Sequence, residues 1–164
     1  MKLTGKCDVE APIGFAYASI TDFPAWERSA VRRGAAVDHV AGLPVDGVGA
    51  GWRIKFPYRN KQRKATITVS ELSANERAVF SLDSPSLEGE SVMDVLALSP
   101  KRTRIRVQIT VKPRTIAARL FLNALRLGRK RILRGLDMRM GQLGAEVETQ
   151  FAQSEAQKAT LAKA

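Results

Sequence analysis

The chain has 164 residues, 45% of them hydrophobic and 26% charged, with 27 Lys and Arg against 16 Asp and Glu and a formal charge of +11. That length suits one core rather than two, that composition excludes wholesale disorder, and a lone cysteine and a lone histidine exclude an intrachain disulfide and a Cys/His zinc site. The charge admits an anionic partner, either nucleic acid or an acidic membrane surface.

Residues 1–8 contain no apolar run of the kind a secretion signal needs, so a cytoplasmic location is expected. Leu3, Gly5, Cys7 and Val9 alternate with polar neighbours, which predicts a first strand with Cys7 facing inward. Ala11-Pro12 stops it. Helical spacing of Phe15, Ala16, Ser19 and Ile20 predicts a short helix over 13–20. Asp22 then caps a second one beginning at Pro24 and holding Trp26 and Val31.

A strand is expected over 34–40, followed by a loop, because residues 41–51 hold Gly42, Pro44, Gly47, Gly49 and Gly51. Trp52, Ile54, Phe56 and Tyr58 then share one face of a strand. Ala65, Ile67 and Val69 alternate with Lys64, Thr66 and Thr68 on the next, across a turn at Asn60-Lys61. Further strands are expected over 78–82, 87–98 and 102–111, the last two joined at Ser99-Pro100-Lys101. Counted from that turn, Asp94 falls opposite Arg106 as a cross-strand ion pair.

Pro113 is expected to open a helix running to about Phe151, with Ile116, Leu120, Ala124, Ile132, Leu136, Met140, Leu143, Val147 and Phe151 forming its buried stripe. Unbroken, such a helix would be roughly 55 Å long, against about 40 Å for a compact domain of this size. It must bend or overhang, and Gly128 is the expected break. Ile116 to Leu127 is interrupted by Arg119, Asn123 and Arg126, short of the roughly 20 apolar residues of a membrane span. The domain is expected to cover residues 1–153, with 154–164 a frayed tail.

This order of elements is α+β, with helices segregated from an antiparallel sheet. Four stretches carry a family likeness: Val9-Glu10-Ala11-Pro12, Phe15-Ala16-Tyr17, Thr21-Asp22-Phe23-Pro24-Ala25-Trp26 and Gly47-Val48-Gly49-Ala50-Gly51. In them the chain resembles the START-like superfamily, also called SRPBCC, which includes pollen-allergen-like proteins, lipid-transfer domains and polyketide cyclase/dehydrase-like proteins. The resemblance implies a helix-grip fold, a curved antiparallel sheet around a long C-terminal helix. It also implies a cavity between the two, lined or filled by Trp52, Ile54, Phe56, Tyr58, Ile67, Phe80, Met93, Ile105, Val107, Ile132, Leu136 and Met140. These motifs mark structure and are nearly silent on chemistry.

Few residues offer catalysis. His39 beside a glycine-rich loop reads as a strand-end polar residue, Cys7 as a small core residue, and Asp22 as a helix cap. Glu88, Glu90 and Asp94 share the outward face of their strand. No metal site, cofactor motif or catalytic set is expected, and together with the family resemblance this makes the favoured function a carrier for a hydrophobic small molecule, a lipid or a polyketide-like compound. An enzyme of cyclase or dehydratase type is the alternative, with Asp22, Tyr58 or His39 as its polar groups.

A third reading follows from the basic C-terminal stretch, where Arg126, Arg129, Lys130, Arg131 and Arg134 would meet an anionic membrane surface. The same pattern suits a helix that simply covers a core with its arginine stems. A second basic set, Arg53, Lys55, Lys64, Arg102 and Arg104, points outward from the sheet. Nucleic acid is disfavoured, since no zinc-finger, RNP or Walker pattern accompanies the charge.

Overall fold

A computed structural model describes residues 1–164. Its strands are β1 (Lys2–Val9), β2 (Ala36–His39), β3 (Gly51–Tyr58), β4 (Lys61–Ser73), β5 (Arg77–Asp83), β6 (Leu87–Ser99) and β7 (Arg102–Pro113). The helices are α1 (Ile13–Ile20), α2 (Phe23–Arg32), α3 (Ile116–Leu127) and α4 (Arg129–Ala162). The strands form one antiparallel sheet in the order β1-β7-β6-β5-β4-β3-β2, so α1 and α2 carry the chain from one edge to the other.

Local chemistry sets the joints. Asp22 accepts the Ala25 N–H at 3.0 Å and caps α2. Arg59 and Asn60 both take positive φ, 50° and 60°, which makes a two-residue turn matched to strand twist between Tyr58 and its partner Lys61. Asp94 does stand opposite Arg106, but it also stands opposite Arg77 on β5, and its ion pair goes to Arg77 at 2.7 Å. The expected Asp94–Arg106 bridge is therefore replaced by one on the other flank. The hairpin between β6 and β7 pairs Ser99, not Leu98, with Arg102, and a register shift between Ala97 and Ser99 restores the count.

Pro113 ends β7, paired with Leu87, instead of opening the last helix. Thr115 supplies the cap, its hydroxyl accepting the Ala118 N–H at 3.0 Å. Gly128 separates α3 from α4 with φ −96° and ψ 17°. Beyond it α4 runs alongside β1 in the same direction. Arg129 donates to the Lys2 carbonyl at 3.1 Å, Glu148 accepts the Glu10 N–H at 3.0 Å, and Phe151 meets Phe15 edge to face at 5.1 Å.

Two glycines permit that close approach: a Cβ on Gly5 would stand 3.1 Å from Leu136 and Met140, and one on Gly144 3.4 Å from Cys7 Sγ. Past Phe151 the helix overhangs. Residues 154–162, expected to fray, continue α4, because Ala, Gln, Glu and Lys are good helix formers and Lys158 pairs with Glu155 at 3.3 Å.

Two apolar clusters result. One joins β1, β6, β7, α1 and α4 around Val9, Ile105, Val107, Met140 and Val147; the other joins α2 to β3 and β4 around Phe23, Trp52, Ile54 and Val69.

Candidate functional site: a cavity beneath the third helix

Antiparallel pairing brings the Tyr58–Lys61 turn, the loop from Ser84 to Ser86 and the Pro113–Thr115 corner to one end of the sheet. α3 crosses that end. Between them lies a partly open cavity of about 430 Å³, within the roughly 300–1,000 Å³ of pockets that hold small organic ligands. Its walls are Phe56, Tyr58, Ala65, Leu82, Leu87 and, from α3, Ala117, Ala118 and Phe121. Tyr58 and Phe121 meet edge to face at 6.3 Å, and Arg59 lies over both rings, 5.0 Å from the centre of Phe121.

The polar lining is lopsided. Ser84 Oγ donates to the Leu87 carbonyl at 2.8 Å and accepts its N–H at 3.0 Å, and Thr115 is committed to capping α3. Arg59, Arg63 and Lys64 are the only charged groups in the lining, with no carboxylate among them. Arg63 stands opposite Phe56, on the same face of β4 as Ala65 and Ile67, so its stem leaves the sheet on the cavity side, whereas Lys64, expected to point outward, has the opposite parity and yet also borders the cavity. Neither Arg63 nor Lys64 has an ion pair. The first turn of α3 adds the positive end of a helix dipole to the same wall. Such a site can hold an apolar body and attract an anionic group.

The structure divides the residues that sequence placed around a cavity. Phe56 and Tyr58 line this one. Trp52 and Ile54 are 1% and 7% exposed within the α2 cluster, with Ile67 and Phe80 packed against them and Phe23 edge-on to Trp52 at 5.2 Å. Ile105, Val107 and Met140 sit in the α4 cluster, flanked by Met93 and Leu136; Ile132 is half-buried. Thus the α4–β1 interface is packed, and the open space lies under α3 instead.

Sequence reasoning missed Arg59, Arg63, Ala65, Leu82, Leu87 and the α3 residues. Arg63 carried a usable signal, since it shares period-two parity with Ala65 and Ile67. The basic set Arg126, Arg129, Lys130, Arg131 and Arg134 is exposed around the α3–α4 junction, away from the cavity lining.

Other polar candidates have structural partners. Glu27 accepts the Trp52 indole N–H at 2.7 Å and stands 3.2 Å from His39 Nε2. Burial, with Asp8 and Glu148 nearby, pushes the Cys7 thiol up to about 11. Asp8 is held below the usual carboxylate range by its hydrogen bond from Arg104. No group of His, Cys, Asp and Glu is placed to hold a metal ion, and no helix is long and apolar enough to cross a membrane.

No family model matches the chain, and no curated protein matches its sequence. Solved structures do match. The Zhui aromatase/cyclase from Streptomyces sp. R1128 superposes with a TM-score of 0.64 at 13% identity, covering 90% of this chain and 93% of that one. TTHA0849 from Thermus thermophilus gives 0.63 at 15% identity, covering 90% and 97%. Norcoclaurine synthase from Thalictrum flavum, in complex with dopamine and hydroxybenzaldehyde, gives 0.60 at 9%, covering 76% of each. At these identities the likeness concerns architecture, and chemistry must be argued from side chains. With its seven-stranded antiparallel sheet and long C-terminal helix, the chain has the helix-grip fold, shared with these structures.

Proposed function

We propose that the protein is a carrier that binds an apolar small molecule bearing one anionic group in the cavity beneath α3. The observation that carries this reading is the lining itself. Its walls are apolar and its only charges are Arg59, Arg63 and Lys64. A fatty acid or a polycyclic aromatic acid has the matching chemistry, its body against Phe56, Leu82 and Phe121 and its carboxylate toward Arg63. That the same fold holds dopamine and hydroxybenzaldehyde in norcoclaurine synthase supports a small organic ligand here. Of the polar groups named for the enzyme alternative only Tyr58 lines the cavity, and no carboxylate, imidazole or thiol accompanies its phenol there, which favours carriage over a cyclase or dehydratase reaction.

Calorimetric titration with dodecanoate and with dodecanol tests this. Dodecanoate should bind at least about tenfold more tightly, and Arg63→Gln should reduce that preference, with Arg59 and Lys64 left in the lining, while changing alcohol binding far less. Equal affinity for acid and alcohol would refute the anionic class, and failure of both to bind would refute the cavity.

A further inference from the structure

α3 carries apolar residues around more of its circumference than the sheet covers. Ala118 and Leu122 are buried, and Phe121 and Leu125 half-buried. Yet Ile116, Leu120 and Leu127 are 80%, 65% and 93% exposed. At about 100° per residue these three fall within roughly 40° of one another, on the far side of the helix from Leu122. Arg119, Asn123 and Arg126 fill the arc between them and the buried face. Three large apolar side chains in one exposed stripe on a short helix mark a surface that something covers.

The surrounding charge says what covers it. Between Asp94 and Asp137 there are twelve Lys and Arg and not one Asp or Glu. Register places Arg59, Lys61 and Lys112 at the α3 end of the sheet, where Arg114 is paired with Asp83 and Glu88, beside the junction where α4 begins with Arg129, Lys130 and Arg131. A second copy of the chain docked through this face would set two ends of net positive charge against each other, because Asp83 and Glu88 there are already taken up by Arg114. Leucine and isoleucine give nucleic-acid bases no ring to stack on. An anionic bilayer answers both features, offering acyl chains to the stripe and phosphates to its basic edge.

We propose that α3 docks the protein on an anionic lipid surface, with Ile116, Leu120 and Leu127 entering the acyl boundary and Arg119, Arg126 and Arg131 meeting headgroup phosphates. This is independent of the cavity's ligand, because none of these six residues lines the cavity. The opposite arc of α3 does line it, so docking sets that wall of the cavity next to the bilayer.

Co-sedimentation of the full chain with vesicles distinguishes the alternatives. Vesicles of phosphatidylcholine and phosphatidylglycerol in equal parts should bind it at least about tenfold better than phosphatidylcholine alone, and added salt should weaken that binding. Ile116→Ser with Leu120→Ser and Leu127→Ser should cut binding by more than about tenfold with the far-ultraviolet spectrum unchanged. If that triple variant loses helix, Leu127→Ser alone carries the test through a smaller loss. No binding at low salt, or undiminished binding by the serine variants, would overturn the proposal. So would a solution dimer of the wild type that the triple variant converts to monomer, since the stripe would then belong to a second copy.

Discussion

The indole N–H of Trp52 and the carboxylate of Glu27 lie 2.7 Å apart. That bond ties α2 to β3 over a nearly closed cluster, for Trp52 is 1% exposed and meets Trp26 edge to face at 5.7 Å. His39 Nε2 approaches the same carboxylate oxygen at 3.2 Å, so one acid serves two rings. Replacing Glu27 by alanine leaves the indole N–H without its acceptor. Glu27→Ala is expected to lower unfolding free energy by ~1–3 kcal/mol, measured by urea denaturation with tryptophan fluorescence. A change below about 0.5 kcal/mol would mean that water replaces the carboxylate without loss.

Asp8 makes acid sensitivity readable at one place. Its carboxylate accepts two hydrogen bonds from Arg104, at 2.8 Å and 3.0 Å, and its pKa is lowered from 3.8 chiefly by that bond. A carboxylate depressed in the folded state stabilises the fold above its unfolded pKa, and the contribution disappears as pH falls through the folded one. Asp8→Asn should therefore be less stable than the wild type at neutral pH, with the difference narrowing below about pH 4. A gap between the two proteins that stays constant down to pH 2 would contradict this assignment.

Cys7 should be a slow thiol. At pH 8 a pKa pushed up to about 11, against an ordinary 9.0, reduces the thiolate fraction by about a hundredfold. Iodoacetamide labelling followed by mass spectrometry should show that retardation in the native protein and its loss in denaturant. Native labelling at the rate of a free thiol would mean that β1 opens readily from α4.

α4 holds glycines with opposite consequences. Around Gly141, which is exposed, a Cβ would meet nothing within 4 Å, whereas Gly144 is buried against Cys7 and Val9. Gly141→Ala is expected to stabilise by ~0.5–1 kcal/mol through helix propensity and a less mobile unfolded chain. Gly144→Leu is expected to destabilise by ~1–3 kcal/mol or more, since its side chain must push the helix off β1. Thermal unfolding of both variants checks the contrast, and equal effects would show that the α4–β1 spacing is loose.

Much of the fold is legible because period and punctuation act locally. Ile105, Val107, Ile109 and Val111 mark β7, Asp22 marks the start of α2, and Gly128 among arginine-rich turns marks the break before α4. The cavity is less legible because parity reports the face of a strand and not what covers it. Trp52 and Phe56 share one face of β3, yet α2 seals Trp52, whereas Phe56 borders the open space under α3. The position of α3 depends on the corner after Pro113, where Thr115 rather than proline begins the helix. No pattern along the chain reveals how far that corner swings α3 from the sheet.

The overhang of α4 gives the molecule a natural handle. The helix starts at the cationic end beside Lys2 and runs on past Phe15, so its last turns stand clear of the opposite end. Residues 152–162 form a stalk of about 16 Å. Immobilised through its C-terminus, the protein would hold α3 and its arginines outward, toward whatever flows across the support. Tethered through its N-terminus, which donates to the Val111 carbonyl at 2.6 Å, it would turn that same end toward the support.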